Sequence, residues 1–133
     1  MKKDLIQLEV KDVFIAVIGH ENEFDETEWV AYLINNKNVK LEGVLVSTRG
    51  YGEIDGEHKK TATFRHSLDE LEPKSYKKIE ELPKELFALS NEFWLSFYVN
   101  KKMYDKKYIF LAESISHFNS INVPIINELG VMI

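Results

Sequence analysis

The 133-residue chain contains no cysteine. This absence excludes disulfides, zinc ribbons, iron–sulfur ligation and thiol nucleophiles together. Long hydrophobic runs are also missing, because the longest unbroken one, Val13 to Ile18, is far shorter than the roughly 18 residues of a membrane-spanning helix. Gln7 and Glu9 interrupt the apolar stretches near the start, so no signal peptide is predicted. We therefore expect no membrane partner and a reducing compartment, the cytoplasm.

Arginine is scarce. Only two of the 17 basic residues are arginines, Arg49 and Arg65, and they flank one glycine-containing loop. With 22 acidic residues the formal net charge is −5, which repels phosphate backbones at long range and disfavours a nucleic-acid partner. The fractions of hydrophobic residues (44%) and charged residues (29%) are those of an ordinary globular protein, so we predict a single domain over residues 1–133.

Short runs rich in β-branched and aromatic residues alternate with clusters of Asn, Asp, Gly and Lys, and long helical stripes are missing. About eight such runs, with turn signals about every 8 to 12 residues, are typical of a sandwich or a small barrel. We predict an all-β, antiparallel β-sandwich. At most one or two short helical turns are expected, one of them over Lys84 to Leu89 with Pro83 at its first position.

Individual runs predict particular pairings. Glu28 to Ile34 and Val39 to Thr48 are joined by an asparagine-rich segment and are predicted to form a hairpin. A β-bulge at Gly43 would turn the valine and leucine side chains of the second run, Val39 included, to one face. Lys59 to His66 is predicted to be one half-buried strand, paired with the strand that ends at Thr48. Phe93 to Val99 is apolar at most positions and predicts a central strand buried on both faces.

The ends of the chain suggest edge strands. Leu5 to Val10 and Val13 to Ile18 form either a hairpin or one broken edge strand, and Val131 to Ile133 is expected to be a short closing strand. An exposed edge invites pairing with another copy, so a homodimer through an edge strand is a further expectation. Trp94 is predicted to belong to the packed core rather than to a ligand surface.

The most motif-like stretch is Thr48 to Gly56, which contains three glycines within seven residues. A Walker loop requires lysine after its last glycine, where Glu57 stands, and a dinucleotide fingerprint requires glycine where Asp55 stands. Arg49 to Gly52 fits the start of the RNA-binding strand of RRM domains, but Glu53 replaces a stacking aromatic. The stretch is therefore predicted to be a glycine-rich hairpin loop.

The candidate binding residues for an anion or a partner surround this loop. They are Arg49, Tyr51, His58, Arg65 and His66. Two arginines on adjoining strands hold like charges close together, which favours an acidic partner or an anionic ligand. The histidines lack a third ligand at a fixed spacing, so no metal or cofactor is predicted. No catalytic residue is assigned, because no serine stands in a G-x-S-x-G elbow.

Several segments in order carry a resemblance to a known family. They are Trp29 to Asn35, Arg49 to Gly52, Arg65-His66, Asn91 to Trp94, and Tyr104 to Phe110. With these segments the whole chain resembles a family of small, functionally uncharacterised bacterial proteins. Similar sequences sometimes carry a phenylalanyl-tRNA synthetase label, but 133 residues cannot hold the catalytic module of that enzyme. The resemblance therefore implies no reaction.

The leading expectation is a non-enzymatic binding or assembly module for an unknown protein or a small anionic ligand. The alternatives are an RNA- or tRNA-associated protein and a small-molecule enzyme with an unrecognised active site. An enzyme should show a deep pocket with convergent polar groups, whereas an assembly module should show a paired edge strand or an apolar patch.

Overall fold

Strands account for most of the regular structure in residues 8–133, the part of the chain that the computed structural model describes. The strands are β1 (Val13–Glu21), β2 (Thr27–Asn35), β3 (Leu41–Ile54), β4 (Glu57–Lys60), β5 (Phe64–Leu71), β6 (Ser75–Leu82), β7 (Ser90–Val99), β8 (Lys102–Phe110), β9 (Ile121–Val123) and β10 (Glu128–Met132). Two short 3₁₀ helices cover Lys84–Ala88 and His117–Asn119. Within residues 8–133, neither helix has the length and hydrophobicity to cross a membrane.

The strands form two antiparallel sheets of five strands each, which confirms the predicted all-β sandwich. The first sheet has the order β6-β2-β1-β10-β9. In the second sheet, β8 pairs with β7 and β7 with β3, and the other side of β3 pairs with β5 and then with β4. Between β5 and β4 the edge is interrupted beside Gly50, whose N–H donates to Thr61 Oγ1 at 2.8 Å. This interruption forms one side of the candidate site.

The main core lies between the two sheets, because alternate residues of each strand point inward. Its largest fully buried side chains include Ile15, Leu33, Phe93, Leu95 and Phe97. A smaller cluster lies on the opposite face of the first sheet and contains Ala16, Ile18, Ile34, Val123 and Ile126. The first sheet is therefore covered on both faces in its middle.

Two local predictions are confirmed. The register of β3 shifts around Gly43 against both β5 and β7, and Gly43 has a φ of 54°, so a β-bulge is present. The short helix after Pro83 is also present, as a 3₁₀ helix over Lys84–Ala88, although Pro83 is its N-cap and not its first residue. The shared face predicted for the residues around the bulge is wrong for Val39, which is 40% exposed and precedes β3.

The predicted hairpin between Glu28 to Ile34 and Val39 to Thr48 is wrong. β2 pairs with β1 and β6, whereas β3 belongs to the second sheet. The asparagine-rich segment instead carries the chain from one sheet to the other. Asn35 fixes this crossing, because its side-chain amide donates to the carbonyls of Val39 at 2.9 Å and Glu72 at 3.0 Å. Alternation in the sequence identifies strands but not their partners.

The single strand predicted over Lys59 to His66 is two strands. β4 ends at Lys60 and β5 begins at Phe64, and the chain between them is not in a strand. The partner was predicted correctly, because Phe64 in β5 pairs with Thr48 in β3. The interruption accounts for part of the difference between about eight predicted strands and the ten observed.

β7 is a central strand, as predicted, but it is not buried on both faces. Phe93, Leu95 and Phe97 point into the core, whereas Trp94 is 47% and Tyr98 is 44% exposed. The prediction that Trp94 belongs to the core is therefore wrong. Its side chain lies on the outer face of the second sheet, which no second layer of the described residues covers.

The expected edge strand at the end of the chain is also wrong. β10 lies between β1 and β9, and the last residue, Ile133, exchanges two main-chain hydrogen bonds of 3.0 Å with Ile15. Because β10 has a partner on each side, Val131 to Ile133 offers no free edge through which a homodimer could form. At the other end, Val13 to Ile18 lies within β1, residues 8–10 are not in a strand, and the rest of the run from Leu5 to Val10 falls outside the described residues.

Candidate functional site

A cleft opens between the two sheets, where β6 of the first sheet approaches the interruption between β4 and β5. Its volume is about 430 Å³, which falls within the range of about 300–1,000 Å³ for small-ligand sites. Its apolar lining comes from Phe64, Leu82, Pro83, Leu86 and Phe93. The polar residues of its lining are Thr48, Arg49, Thr61, His66, Glu80, Glu81, Asn91 and Glu92. The cleft is thus mainly apolar, with several convergent polar groups.

Glu80 is the polar centre of the cleft. Its Oε1 accepts a hydrogen bond from Thr48 Oγ1 at 2.6 Å and lies 2.7 Å from His66 Nε2. Glu80 is on β6, and its two partners are on β3 and β5, so this one oxygen connects the sheets. The side chain is 18% exposed. No donor among residues 8–133 contacts the other oxygen, Oε2, and that atom is not sealed from solvent.

A bulge in β6 explains how a charged residue next to the core faces inward. Opposite Ala31 and Tyr32 the pairing skips Ile79, so that Glu80 and Lys78 take the adjacent positions in the ladder. Ile79 is 6% exposed, and its neighbour Glu80 also points towards the second sheet. Without the bulge, strict alternation would place one of these two side chains on the outer face.

Arg49 and Glu92 form a second charged group at the rim of the cleft, where they pair across β3 and β7 with their side chains on the outer face of the sheet. The guanidinium donates through Nε to Oε2 at 3.1 Å and through Nη2 to Oε1 at 3.3 Å. Tyr51 donates its hydroxyl to the same carboxylate at 3.4 Å, and Lys107 Nζ lies 4.0 Å from it. The Glu92 side chain is only 5% exposed, so these donors compensate a buried charge. The hydrogen bond to Glu92 and the negative charge of Glu92 raise the pKa of Arg49 above its ordinary value.

The structure brings together only part of the predicted anion site. Arg49 and Tyr51 are adjacent on the outer face, with the guanidinium 5.3 Å from the ring centroid. Arg65 points to the same face of adjoining β5, whereas His66 points into the cleft. His58 is on β4, and its side chain is 89% exposed. Carboxylates already accompany Arg49, His58 and His66, so an anion site formed by all five residues stays a prediction.

Sequence reasoning did not single out the residues that centre the cleft. Glu80 is one of 22 acidic residues, and nothing in the letters Ile79-Glu80-Glu81 distinguishes it from solvated neighbours. Thr48 was only the end of a predicted strand. Glu92 offered a usable signal, because a carboxylate at the start of the apolar run from Phe93 to Val99 needs a cationic partner when it is buried.

Comparisons with known proteins add no assignment, because no family model, curated protein or solved structure matches this chain. The resemblance to a family of small bacterial proteins therefore stays a prediction. Within the part of the chain that the structure describes, no three His, Asp or Glu side chains converge as metal ligands. The cleft is consequently interpreted from its own geometry.

Proposed function

We propose that this chain is a non-enzymatic binding module that holds a small ligand in the cleft between its sheets. The ligand has a largely apolar body and one hydrogen-bond-donating, preferably cationic, end. The observation that carries this proposal is Oε2 of Glu80, which no donor among residues 8–133 contacts, inside a mainly apolar cleft. A partly buried carboxylate with a vacant acceptor gains most from a charged donor such as an ammonium group.

The charges around the cleft support a cationic rather than an anionic ligand. Glu80 and Glu81 line it against His66, and at its rim the side chains of Arg49 and Glu92 pair on the outer face. Arg49 is already bound by Glu92, and His66 by Glu80. An anionic ligand would have to displace one of these carboxylates, whereas a cation could bind the second oxygen of Glu80, which no donor among the described residues contacts.

The arrangement supports binding better than nucleophilic catalysis. In an acid–base–nucleophile chain, histidine lies between the carboxylate and the hydroxyl, so that it can take the hydroxyl proton. Here Thr48 and His66 both contact the same carboxylate oxygen, and Glu80 is the middle member. His66 is therefore not placed to activate Thr48, and this order favours a structural and recognition role for the three side chains.

Three probes with the same phenylethyl group and different charge test the proposal. Phenethylamine, phenethyl alcohol and 3-phenylpropionate share an aromatic body, and ¹H–¹⁵N NMR shifts detect the weak binding expected of such small molecules, with a Kd on the order of 1 mM. We expect the amine to bind most tightly and to shift the amides around Glu80 and Phe93. Tighter binding of the carboxylate would contradict the proposal and favour an anionic ligand instead.

Glu80→Gln removes the negative charge of the carboxylate but keeps the shape of the side chain, so it tests the effect of charge on binding. A glutamine Oε1 can still accept the hydrogen bonds from Thr48 and His66, so the fold should be retained. We expect amine binding to weaken at least about tenfold, because the charge that attracts the ammonium group is lost. Glu57→Gln is the matched control, since Glu57 is a 73% exposed side chain on β4. Equal effects of both substitutions would show a long-range effect of net charge rather than a site.

A further inference from the structure

The outer face of the second sheet exposes an apolar patch. Five large side chains that point outward from β3, β7 and β8 are 37% to 53% exposed: Leu45, Trp94, Tyr98, Met103 and Ile109. Soluble monomers seldom expose this many large apolar groups on one face, and such patches mark interaction surfaces. The patch is distinct from the cleft, which lies on the inward side of the same sheet.

The strand registers make this patch continuous. Trp94 pairs across β7 with Ser47 on one side and Lys107 on the other. Ser96, two residues further along β7, pairs with Leu45 and Asp105. The small serines leave a shallow depression of about 360 Å³ beside the indole, lined also by Arg65 and Met103. An incoming side chain can enter this depression and contact the indole.

Opposite charges lie at the two edges of the face. Arg65 is on β5 and has no ion pair with any residue that the structure describes. Asp105 is on β8, and the one hydrogen bond of its side chain within residues 8–133 is a long contact of 3.4 Å from Trp94 Nε1. Three strand spacings, about 14 Å, separate the two edges. Neither charge has a strong partner within the face.

We propose that a second copy of this chain docks on this face, with the two sheets packed face to face about a two-fold axis. When this axis runs parallel to the strands, it brings the β5 edge of one copy over the β8 edge of the other. Arg65 of each copy then pairs with Asp105 of its partner, and Trp94 and Leu45 lie in the apolar centre. The patch is self-complementary, as an isologous interface requires, because it carries both the acceptor and the donor of this pair.

Local charge balance also favours a second copy. The whole chain carries −5, which would repel another copy at long range. On the outer face, however, Arg49, Arg65 and Lys107 are set against Glu42, Glu92 and Asp105, so the charges balance. This is therefore a surface where two copies can approach without net repulsion between acidic groups.

Sedimentation equilibrium from about 1 to about 200 µM tests the assembly. We expect the wild-type chain to dimerise within this range and Leu45→Glu to remain monomeric, because a charge would be buried in the apolar centre. Leu129→Glu is the matched control, since Leu129 is 65% exposed on β10 of the other sheet. A wild-type monomer throughout, or equal loss of assembly in both variants, would overturn the proposal.

Charge reversal tests the orientation. Arg65→Glu and Asp105→Arg should each raise the dimer Kd at least about tenfold, because each places like charges opposite one another. The double variant restores the pair with its signs exchanged and should recover most of the affinity. Single variants without effect, or a double variant as weak as the two losses combined, would overturn the proposed pairing. Phenethylamine binding at the cleft should be unchanged in all three, which keeps this test separate from that of the proposed function.

Discussion

The hydroxyl of Tyr108 on β8 donates a hydrogen bond of 2.6 Å to the main-chain carbonyl of Val13, where β1 of the opposite sheet begins. The two residues are 95 positions apart in the sequence, and the bond connects the two layers through the core. Tyr108 is only 2% exposed. Burial raises the pKa of its hydroxyl above the ordinary value of 10.0, because a phenolate would lose its hydration and could not donate to the carbonyl.

This link predicts a loss of stability in alkali. The pKa of Tyr108 is higher in the folded than in the unfolded chain, so the unfolded chain loses this proton first as the pH rises. Its contribution is fully present below about pH 10 and falls above it, by up to about 1.4 kcal/mol per pH unit. Urea unfolding measured between about pH 9 and about pH 11 should show the free energy of unfolding falling over this interval.

Tyr108→Phe distinguishes this group from the other alkaline titrations. The variant should lose about 1–3 kcal/mol at neutral pH, because the Val13 carbonyl loses its partner, and its stability should fall less steeply above about pH 10. Tyr98→Phe, at a 44% exposed position, is the control and should behave as the wild type. An unchanged alkaline slope in Tyr108→Phe would contradict this assignment.

Asn35→Asp should be strongly destabilising although the two side chains have the same shape. Asn35 is fully buried, and its amide nitrogen donates to the carbonyls of Val39, Leu71 and Glu72. A carboxylate would place an oxygen against three carbonyls, and we expect a loss of about 2–5 kcal/mol in urea unfolding.

The same substitution at Asn22 is the control for Asn35→Asp. The Asn22 side chain only accepts hydrogen bonds, from the main-chain N–H groups of Phe24 at 2.8 Å and Glu26 at 3.1 Å. A carboxylate can accept both, so Asn22→Asp should change stability by no more than about 0.5 kcal/mol. Similar losses at both positions would show that the crossing between sheets does not depend on the donor function of Asn35.

Removing only Arg49 from the Arg49–Glu92 pair should destabilise the fold more than replacing both residues by apolar ones. Arg49→Met leaves the Glu92 carboxylate buried with a 3.4 Å bond from Tyr51 and with Lys107 at 4.0 Å, and the chain should be destabilised. In Arg49→Met/Glu92→Leu the uncompensated charge is gone, and more than half of the lost stability should return. Thermal unfolding of both variants gives the comparison, and a double variant less stable than Arg49→Met would contradict it.

Much of the fold was predictable because strand signals are local. The all-β sandwich, the bulge at Gly43 and the short helix after Pro83 depend on signals from a few neighbouring residues, and all three were confirmed. The pairing of β2 was not predictable in this way. An asparagine-rich turn serves a hairpin or a crossing between sheets equally well, and only the distant carbonyls of Leu71 and Glu72 decide between them.

The candidate site was less predictable than the fold. The residues that meet at Glu80 Oε1 come from three strands, and their meeting depends on the bulge at Ile79 in an edge strand. Short-range patterns contain no information about that register. The glycine loop attracted attention through composition, yet Arg49 points away from His66 across the same sheet. The face of the sheet to which a side chain points is determined by the strand register, which a short sequence motif does not specify.

The two tryptophans provide the sharpest test of which surfaces are core. Trp29 is 5% exposed and packs between Phe87 and His117, with ring-centroid distances of 5.6 Å and 4.9 Å. Truncation to alanine at such a site should cost about 3–5 kcal/mol, a large part of the stability of a domain. Trp94 has the same chemistry but is 47% exposed, so Trp94→Ala should cost no more than about 1 kcal/mol.

Both tryptophan variants should be compared by urea unfolding with circular dichroism at about 1 µM, where the proposed dimer is dissociated and only the fold of one chain is measured. At higher concentration, Trp94→Ala should lose the extra stability that the wild-type chain gains on assembly, whereas the loss in Trp29→Ala should not depend on concentration. Because the two substitutions remove the same atoms, a difference between them reports burial alone. Equal losses at about 1 µM would mean that the outer face around Trp94 is covered within one chain, and the docking surface would then have to be abandoned.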